Sequence, residues 1–157
     1  EPTQNIRSFG VKLKLSSTKS ILKNKSIVLI DDSLVRGTTC NKIVKMLYKA
    51  GAKEVHVRIA CPEIKYPDFY GVDMPTKKEL LSSNKTKAEI CDFLGAASCN
   101  FLSIDGLYKA LLNEKRNNSY PQFSDHYFTG DYPIKALDKL GSEKITQLSL
   151  LSNKSSS

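Results

Sequence analysis

Residues 27–61 constrain this chain more than any other stretch. "IVLI" at residues 27–30 is an unbroken, mostly β-branched apolar run, the pattern of a strand covered on both faces, and such strands are usually parallel and central. After Gly37, apolar residues recur at Cys40, Ile43, Val44, Leu47 and Ala50. They line one face of a helix, and Gly51 supplies the left-handed backbone that stops it. "EVHVRIAC" at residues 54–61 then alternates Val55, Val57 and Ile59 with His56 and Arg58, the period of a second strand. Strand, helix and strand in this order form a βαβ unit, so the two strands run parallel with a right-handed crossover. The expected fold class is α/β, a parallel sheet with flanking helices.

Weaker signals fill in the rest. "VKLKL" at residues 11–15 alternates apolar and basic residues, as a half-exposed extended segment does, and residues 17–22 have room for one or two helical turns. "TKKE" at 76–79 and "TKAE" at 86–89 are capping boxes, each opening a short helix, the second ending at Gly95. "SCNFLSI" at 98–104 reads as a third strand and "DGLYKALL" at 105–112 as a helix after it. Residues 113–122 are polar and loop-like. Residues 141–157, ending in "SNKSSS", read as a C-terminal tail that is partly disordered, with residues 1–140 belonging to one domain.

The 157 residues suffice for one domain with its own core, and no apolar run is long enough to cross a bilayer. The net charge of +8 comes mostly from scattered lysines, with Arg7, Arg36, Arg58 and Arg116 as the arginines. No basic block is interleaved with aromatics, so an anionic small molecule is the expected partner, and neither nucleic acid nor membrane is. Cys40, Cys61, Cys91 and Cys99 form no C-x-x-C pair and have no histidine at zinc-ligand spacing, the pattern of reduced thiols in a cytoplasm. The chain opens at Glu1 without an initiator Met and reads as part of a longer protein.

The chemistry concentrates where the first strand meets its helix, in "DDSLVRGTT" at 31–39. Amides exposed at a helix's first turn, with the positive end of the dipole behind them, form a ready anion site. Ser33, Thr38 and Thr39 add hydroxyls, and Gly37 lets the backbone approach a phosphate closely. Asp31 and Asp32 ask for the opposite: they repel phosphate, accept bonds from hydroxyls and ligate Mg²⁺. Taken singly, an acidic pair after a strand is more often a helix cap with a solvated neighbour, and two threonines before a helix are usually a cap. In this order along strand, turn and helix, the residues suit a sugar phosphate such as ribose 5-phosphate, its diol at the carboxylates and its phosphate further along.

"VLIDDSLVRGTT" resembles the phosphoribosyl pyrophosphate (PRPP) motif of type I phosphoribosyltransferases, and the "SLVRGTT" form is most like that of the amidophosphoribosyltransferase family. "PTQNIRSFGVKLK" at 2–14, "YGVDMPT" at 70–76, "LSIDGL" at 102–107 and "YFTGDYP" at 127–133 extend the resemblance in the same order. It implies part of a type I phosphoribosyltransferase fold, namely the C-terminal portion of that domain. It also implies a glycosyltransferase reaction at the first step of de novo purine synthesis, making 5-phosphoribosylamine from PRPP and ammonia derived from glutamine. On this resemblance Asp31 and Asp32 hold the ribose hydroxyls and Mg²⁺, and residues 33–39 wrap the 5-phosphate, among them Ser33, Val35, Arg36, Gly37, Thr38 and Thr39. Thr3, Gln4, Arg7 and Lys12 fall in a loop that closes over PRPP, with Arg7 the strongest closure contact because a guanidinium pairs with a diphosphate bidentately.

The same resemblance places a glutaminase domain, the source of ammonia, and the pyrophosphate loop upstream of these residues. This chain alone is therefore expected neither to hydrolyse glutamine nor to complete a PRPP site. Purine nucleotides are expected as inhibitors, and a homo-oligomer is expected for the full-length protein. Some family members hold an iron–sulfur cluster through cysteines where this chain has Asp68, Ser124 and Tyr127, none of them a thiolate, so no cluster is expected. His126 and His56 read as packing or surface residues. Two rival readings remain: a PRPP-binding regulatory module without catalysis, and a phosphoribosyltransferase acting on a nucleobase.

Overall fold

The computed structural model describes residues 19–71 and 76–134. The segment at 11–15, the loop residues Thr3, Gln4, Arg7 and Lys12, and residues 141–157 lie outside the described residues. In chain order the elements are α1 (Lys19–Leu22), β1 (Ser26–Asp31), α2 (Thr38–Lys49), β2 (Glu54–Ile59), a 3-10 turn (Lys77–Glu79), α3 (Leu81–Asn84), α4 (Lys87–Leu94), β3 (Ser98–Phe101), α5 (Ile104–Leu112) and α6 (His126–Thr129). The three strands lie in the order β1-β2-β3, all parallel, with Leu29 beside Val57 and Val57 beside Cys99. The βαβ unit is present as its apolar periods dictate.

One face of the sheet carries the core. Val55, Val57 and Ile59 of β2 meet Cys40, Val44 and Leu47 from α2 and Ile90 and Leu94 from α4, with Leu34 and Leu81 closing the cluster. Each such side chain, buried, contributes about 1.5–3 kcal/mol relative to exposure. Helix ends follow the sequence. At α4, Thr86 Oγ1 accepts the Glu89 amide while Glu89 takes the Thr86 N–H at 2.7 Å, and Gly95 closes the helix at φ 68°. At the 3-10 turn, Thr76 and Glu79 form the second box.

Three elements differ from expectation among the described residues. β1, expected to be central and covered on both faces, lies at one end of the described sheet, with Val28 58% and Ile30 72% exposed. Its apolar run is continuous, yet among the described residues only the face shared with β2's Val55, Val57 and Ile59 has helices packed on it. β3 stops at Phe101 rather than 104, because Ser103 turns away to cap α5, its Oγ accepting the Gly106 amide at 3.0 Å. β2 ends at Ile59, where its partner β1 ends at Asp31.

The C-terminal part of the described chain is held by polar packing. Tyr108 of α5 is 1% exposed, and its hydroxyl donates to Asp125 Oδ2 at 2.8 Å. The Arg116 guanidinium grips the same carboxylate with Nε at 2.5 Å and Nη2 at 3.1 Å, and reaches Asp131 at 2.6 Å. Residues 124–134 in turn clamp the loop after β2. The Tyr127 carbonyl accepts the Lys65 and Tyr66 amides, and the Tyr132 hydroxyl donates to the Pro67 carbonyl at 2.8 Å. Among the described residues no helix is long and apolar enough to cross a membrane.

Candidate functional site

β1 ends on Asp31, and the backbone from there to α2 encloses an open cavity of about 500 Å³. Its lining runs continuously from Asp31 through Asp32, Ser33, Val35 and Arg36 to Gly37, Thr38 and Thr39, and reaches Cys40. Every expected site residue among the described ones thus borders one space. Each carboxylate commits one oxygen locally: Asp31 Oδ1 accepts the Asp32 amide at 3.1 Å, and Asp32 Oδ1 accepts the Ser33 hydroxyl at 3.0 Å. The acidic pair and the helix start thus border the same cavity.

That helix start is bare. α2 has Gly37 at its N-cap, no side-chain cap and no acidic residue in its first turn. The first-turn amides of a helix have no intrahelical partner, so those of Thr38, Thr39 and Cys40 are available to an anion. α4 and α5 each carry a hydroxyl cap from Thr86 or Ser103 instead. Gly37 is required twice over. Its φ is +72°, and a Cβ there would sit 2.7 Å from Leu81 Cδ2 and 3.1 Å from Phe93 Cε1.

The loop is braced from a distance by residues that the sequence reading did not single out. Glu79 Oε1 accepts from Arg36 Nη2 at 3.0 Å and from Nε at 3.2 Å, and Arg36 and Thr76 together hold the Glu79 carboxyl below the usual glutamate value. Two residues on, the Leu81 amide donates to the Val35 carbonyl at 2.9 Å. Glu79 was legible as half of a capping box; its second duty toward Arg36 had no local signal. Cys40 borders the cavity with its thiol pushed up to about 12 by burial and by Asp31, so it stays a protonated packing group.

The positions where the resemblance set cysteine ligands hold oxygen groups engaged with one another. His126, 1% exposed, joins Asp68 Oδ1 at 2.8 Å through Nε2 and Ser124 Oγ at 3.0 Å through Nδ1, and the Tyr127 hydroxyl bonds Asp68 as well. This donor set does not fit an iron–sulfur cluster, which needs thiolates. Of the two expectations for His126, packing or surface, the structure shows packing, with Asp68 and Ser124 as its partners.

A parallel sheet that delivers an acidic pair and an uncapped helix start to one cavity, with helices flanking it, is a phosphoribosyltransferase-type fold. No protein-family model matches the chain. It is 53% identical over 154 residues to the amidophosphoribosyltransferase of Rhizobium etli, covering 98% of this chain and 31% of that protein. To the amidophosphoribosyltransferase of Methanocaldococcus jannaschii it is 57% identical over 110 residues, 70% of this chain and 23% of that one. Among solved structures, the glutamine PRPP amidotransferase from B. subtilis complexed with ADP and GMP superimposes with a TM-score of 0.68 at 39% identity, over 86% of this chain and 30% of that chain. Along the segment it matches, the chain is a homologue of amidophosphoribosyltransferases, and it spans under a third of its relatives' length.

Proposed function

We propose that this chain supplies the PRPP-gripping portion of an enzyme that forms 5-phosphoribosylamine from PRPP and glutamine-derived ammonia. Kinship supports the reaction, and one observation supports the site. The carboxylates of Asp31 and Asp32 and the uncapped start of α2 border the same cavity, about 500 Å³ in volume. In this reading the amides of Thr38, Thr39 and Cys40, with the hydroxyls of Thr38 and Thr39, hold the 5-phosphate at the positive end of the helix dipole, while Ser33 keeps its hydroxyl on Asp32 and steadies the acidic end. Asp31 and Asp32 accept hydrogen bonds from the ribose hydroxyls and orient the sugar. Neither acts as a general base. Arg36, already committed to Glu79, shapes the loop, and Arg7 and Lys12, with Thr3 and Gln4, close over the diphosphate.

Asp31 and Asp32 also fit Mg²⁺, because hard carboxylate oxygens suit it and each carboxylate keeps one oxygen outside its local bond. Among the described residues no group of three or more His, Cys, Asp or Glu could hold a metal by itself. The remaining ligands would therefore come from substrate and water, as is usual for this ion. When bound, it supplies charge neutralisation to the departing diphosphate.

The wider reading places residues 1–140 in the phosphoribosyltransferase domain, with residues 141–157 as its tail. The full-length protein works as a cytoplasmic homo-oligomer inhibited by purine nucleotides. Calorimetric titration of the full-length protein with PRPP and Mg²⁺ tests the site. Asp32→Asn should weaken binding about tenfold or more, one or more charge-assisted bonds being lost, while thermal unfolding stays put. Unchanged affinity overturns the role of Asp32. Retained binding in an active-site-complete protein that makes no phosphoribosylamine would leave the regulatory module in its place.

A further inference from the structure

Val35, Arg36 and Gly37, the three residues that lead into α2, are all held by the stretch from Thr76 to Asn84. The Val35 carbonyl accepts the Leu81 amide at 2.9 Å, and Arg36 donates to Glu79 Oε1 through Nη2 at 3.0 Å and Nε at 3.2 Å. Gly37 packs so closely on Leu81 that no side chain fits between them. All three residues line the cavity of the acidic pair, and the amides that follow Gly37 are those assigned to the 5-phosphate.

The holding stretch is itself tightly fastened. Asn84 Nδ2 lies 3.0, 3.0 and 2.7 Å from the carbonyl oxygens of Lys77, Lys78 and Leu80, so one side chain ties the 3-10 turn to α3. Leu80 is fully buried, and the Ser83 hydroxyl donates to the Lys65 carbonyl in the loop after β2. Glu79 divides its two oxygens. Oε2 accepts the Thr76 amide at 3.1 Å and the Thr76 hydroxyl at 3.0 Å, which fixes the carboxylate on the turn, while Oε1 faces Arg36. The Arg36 and Glu79 side chains are 55% and 47% exposed, and an exposed pair adds little to global stability. Its effect is local: it fixes where Arg36 sits, and with it the backbone that enters α2.

We infer that Glu79 is a positioning residue for PRPP, presetting the loop through Arg36 so that the amides of Thr38, Thr39 and Cys40 are aimed before the phosphate arrives. This rests on the sugar-phosphate reading of the cavity. A preset loop loses less freedom on binding, which tightens binding without adding a contact. The 5-phosphate is remote from the carbon that ammonia attacks, so the gain falls on binding and not on kcat.

Calorimetric titration of the full-length protein with PRPP and Mg²⁺, paired with kcat at saturating PRPP, tests the role of Glu79. Glu79→Gln keeps the capping box, which glutamine also forms, but sets a neutral amide against Arg36. It should raise the PRPP Kd roughly two- to fivefold, the size of an exposed charge pair's coupling, with thermal unfolding unmoved. Its kcat should stay within about twofold of the native value. Arg36→Met should raise the same Kd, and adding Glu79→Gln to it should raise it no further, because Glu79 acts through Arg36. Glu89→Gln makes the same change in the capping box of α4, which no arginine contacts among the described residues, and should leave the Kd alone. An unchanged or lowered Kd in Glu79→Gln, or additive effects in the double variant, overturns the inference. Asp32→Asn in the same titration tells the two failures apart: if it raises the Kd, the sugar-phosphate reading stands without Glu79, and if it does not, that reading falls and takes the inference with it.

Discussion

Gly37→Ala separates two costs that the structure makes measurable. At Gly37 the backbone sits at φ +72°, where an L side chain costs about 1–2 kcal/mol. The new methyl would also lie 2.7 Å from Leu81 Cδ2, and Leu81 is 7% exposed, with little room to retreat. Overpacking of this kind costs about 1–3 kcal/mol, so the total is roughly 2–5 kcal/mol. Gly95 is the control: its φ of +68° is nearly the same, but a methyl there meets nothing within 4 Å. Alanine also narrows the unfolded ensemble, by a similar amount at either position, so that effect cancels in the difference. Equilibrium urea unfolding of the two variants, with matching m-values, should place Gly37→Ala about 1–3 kcal/mol below Gly95→Ala. PRPP affinity should fall in the first variant alone, because Leu81 also holds the Val35 carbonyl of the loop. Equal destabilisation would refute the close approach, and equal PRPP affinity would refute its link to the loop.

The buried ion pair makes two further predictions. Arg116→Met leaves Asp125, 3% exposed, without its guanidinium, and should cost about 3–5 kcal/mol by urea unfolding, with part regained when Asp125→Asn is added. No recovery in the double variant would contradict a paired role. Burial pushes the Asp125 carboxyl up, but bonds from Arg116, Tyr108 and Thr129 outweigh it and hold the group below its ordinary 3.8. A depressed folded value means that this stabilisation is complete above about pH 4 and is lost as the pH falls through the lower, folded value. Stability measured from pH 5 downward should therefore drop more steeply in the native protein than in Asp125→Asn, and equal slopes would contradict the assignment.

What could be read from the residues was whatever repeats over a few positions. The period of Cys40, Val44 and Leu47 gave α2, the alternation of Val55, Val57 and Ile59 gave β2, and Thr86 with Glu89 gave the start of α4. Contacts between distant residues left no such trace. The Arg36–Glu79 pair spans 43 positions and the His126–Asp68 pair 58, and nothing local to any of the four residues announces its partner. α6 is a single turn of four residues inside an aromatic stretch, too short for any period to show. The apolar run of β1 records what the strand can bury, and among the described residues Val28 and Ile30 stay exposed in a chain that spans under a third of its relatives' length. The candidate site was legible because its parts are consecutive, from Asp31 to Thr39, and because the resemblance covers the same stretch.

The central claim is that the bare start of α2 and the acidic pair hold the two ends of one sugar phosphate. A crystal structure of the full-length protein with PRPP and Mg²⁺ tests it most directly. The 5-phosphate oxygens should lie about 3 Å from the amide nitrogens of Thr38, Thr39 and Cys40, with the ribose hydroxyls on Asp31 and Asp32. A phosphate seated elsewhere, or both carboxylates turned out of the cavity with PRPP bound, would contradict the account.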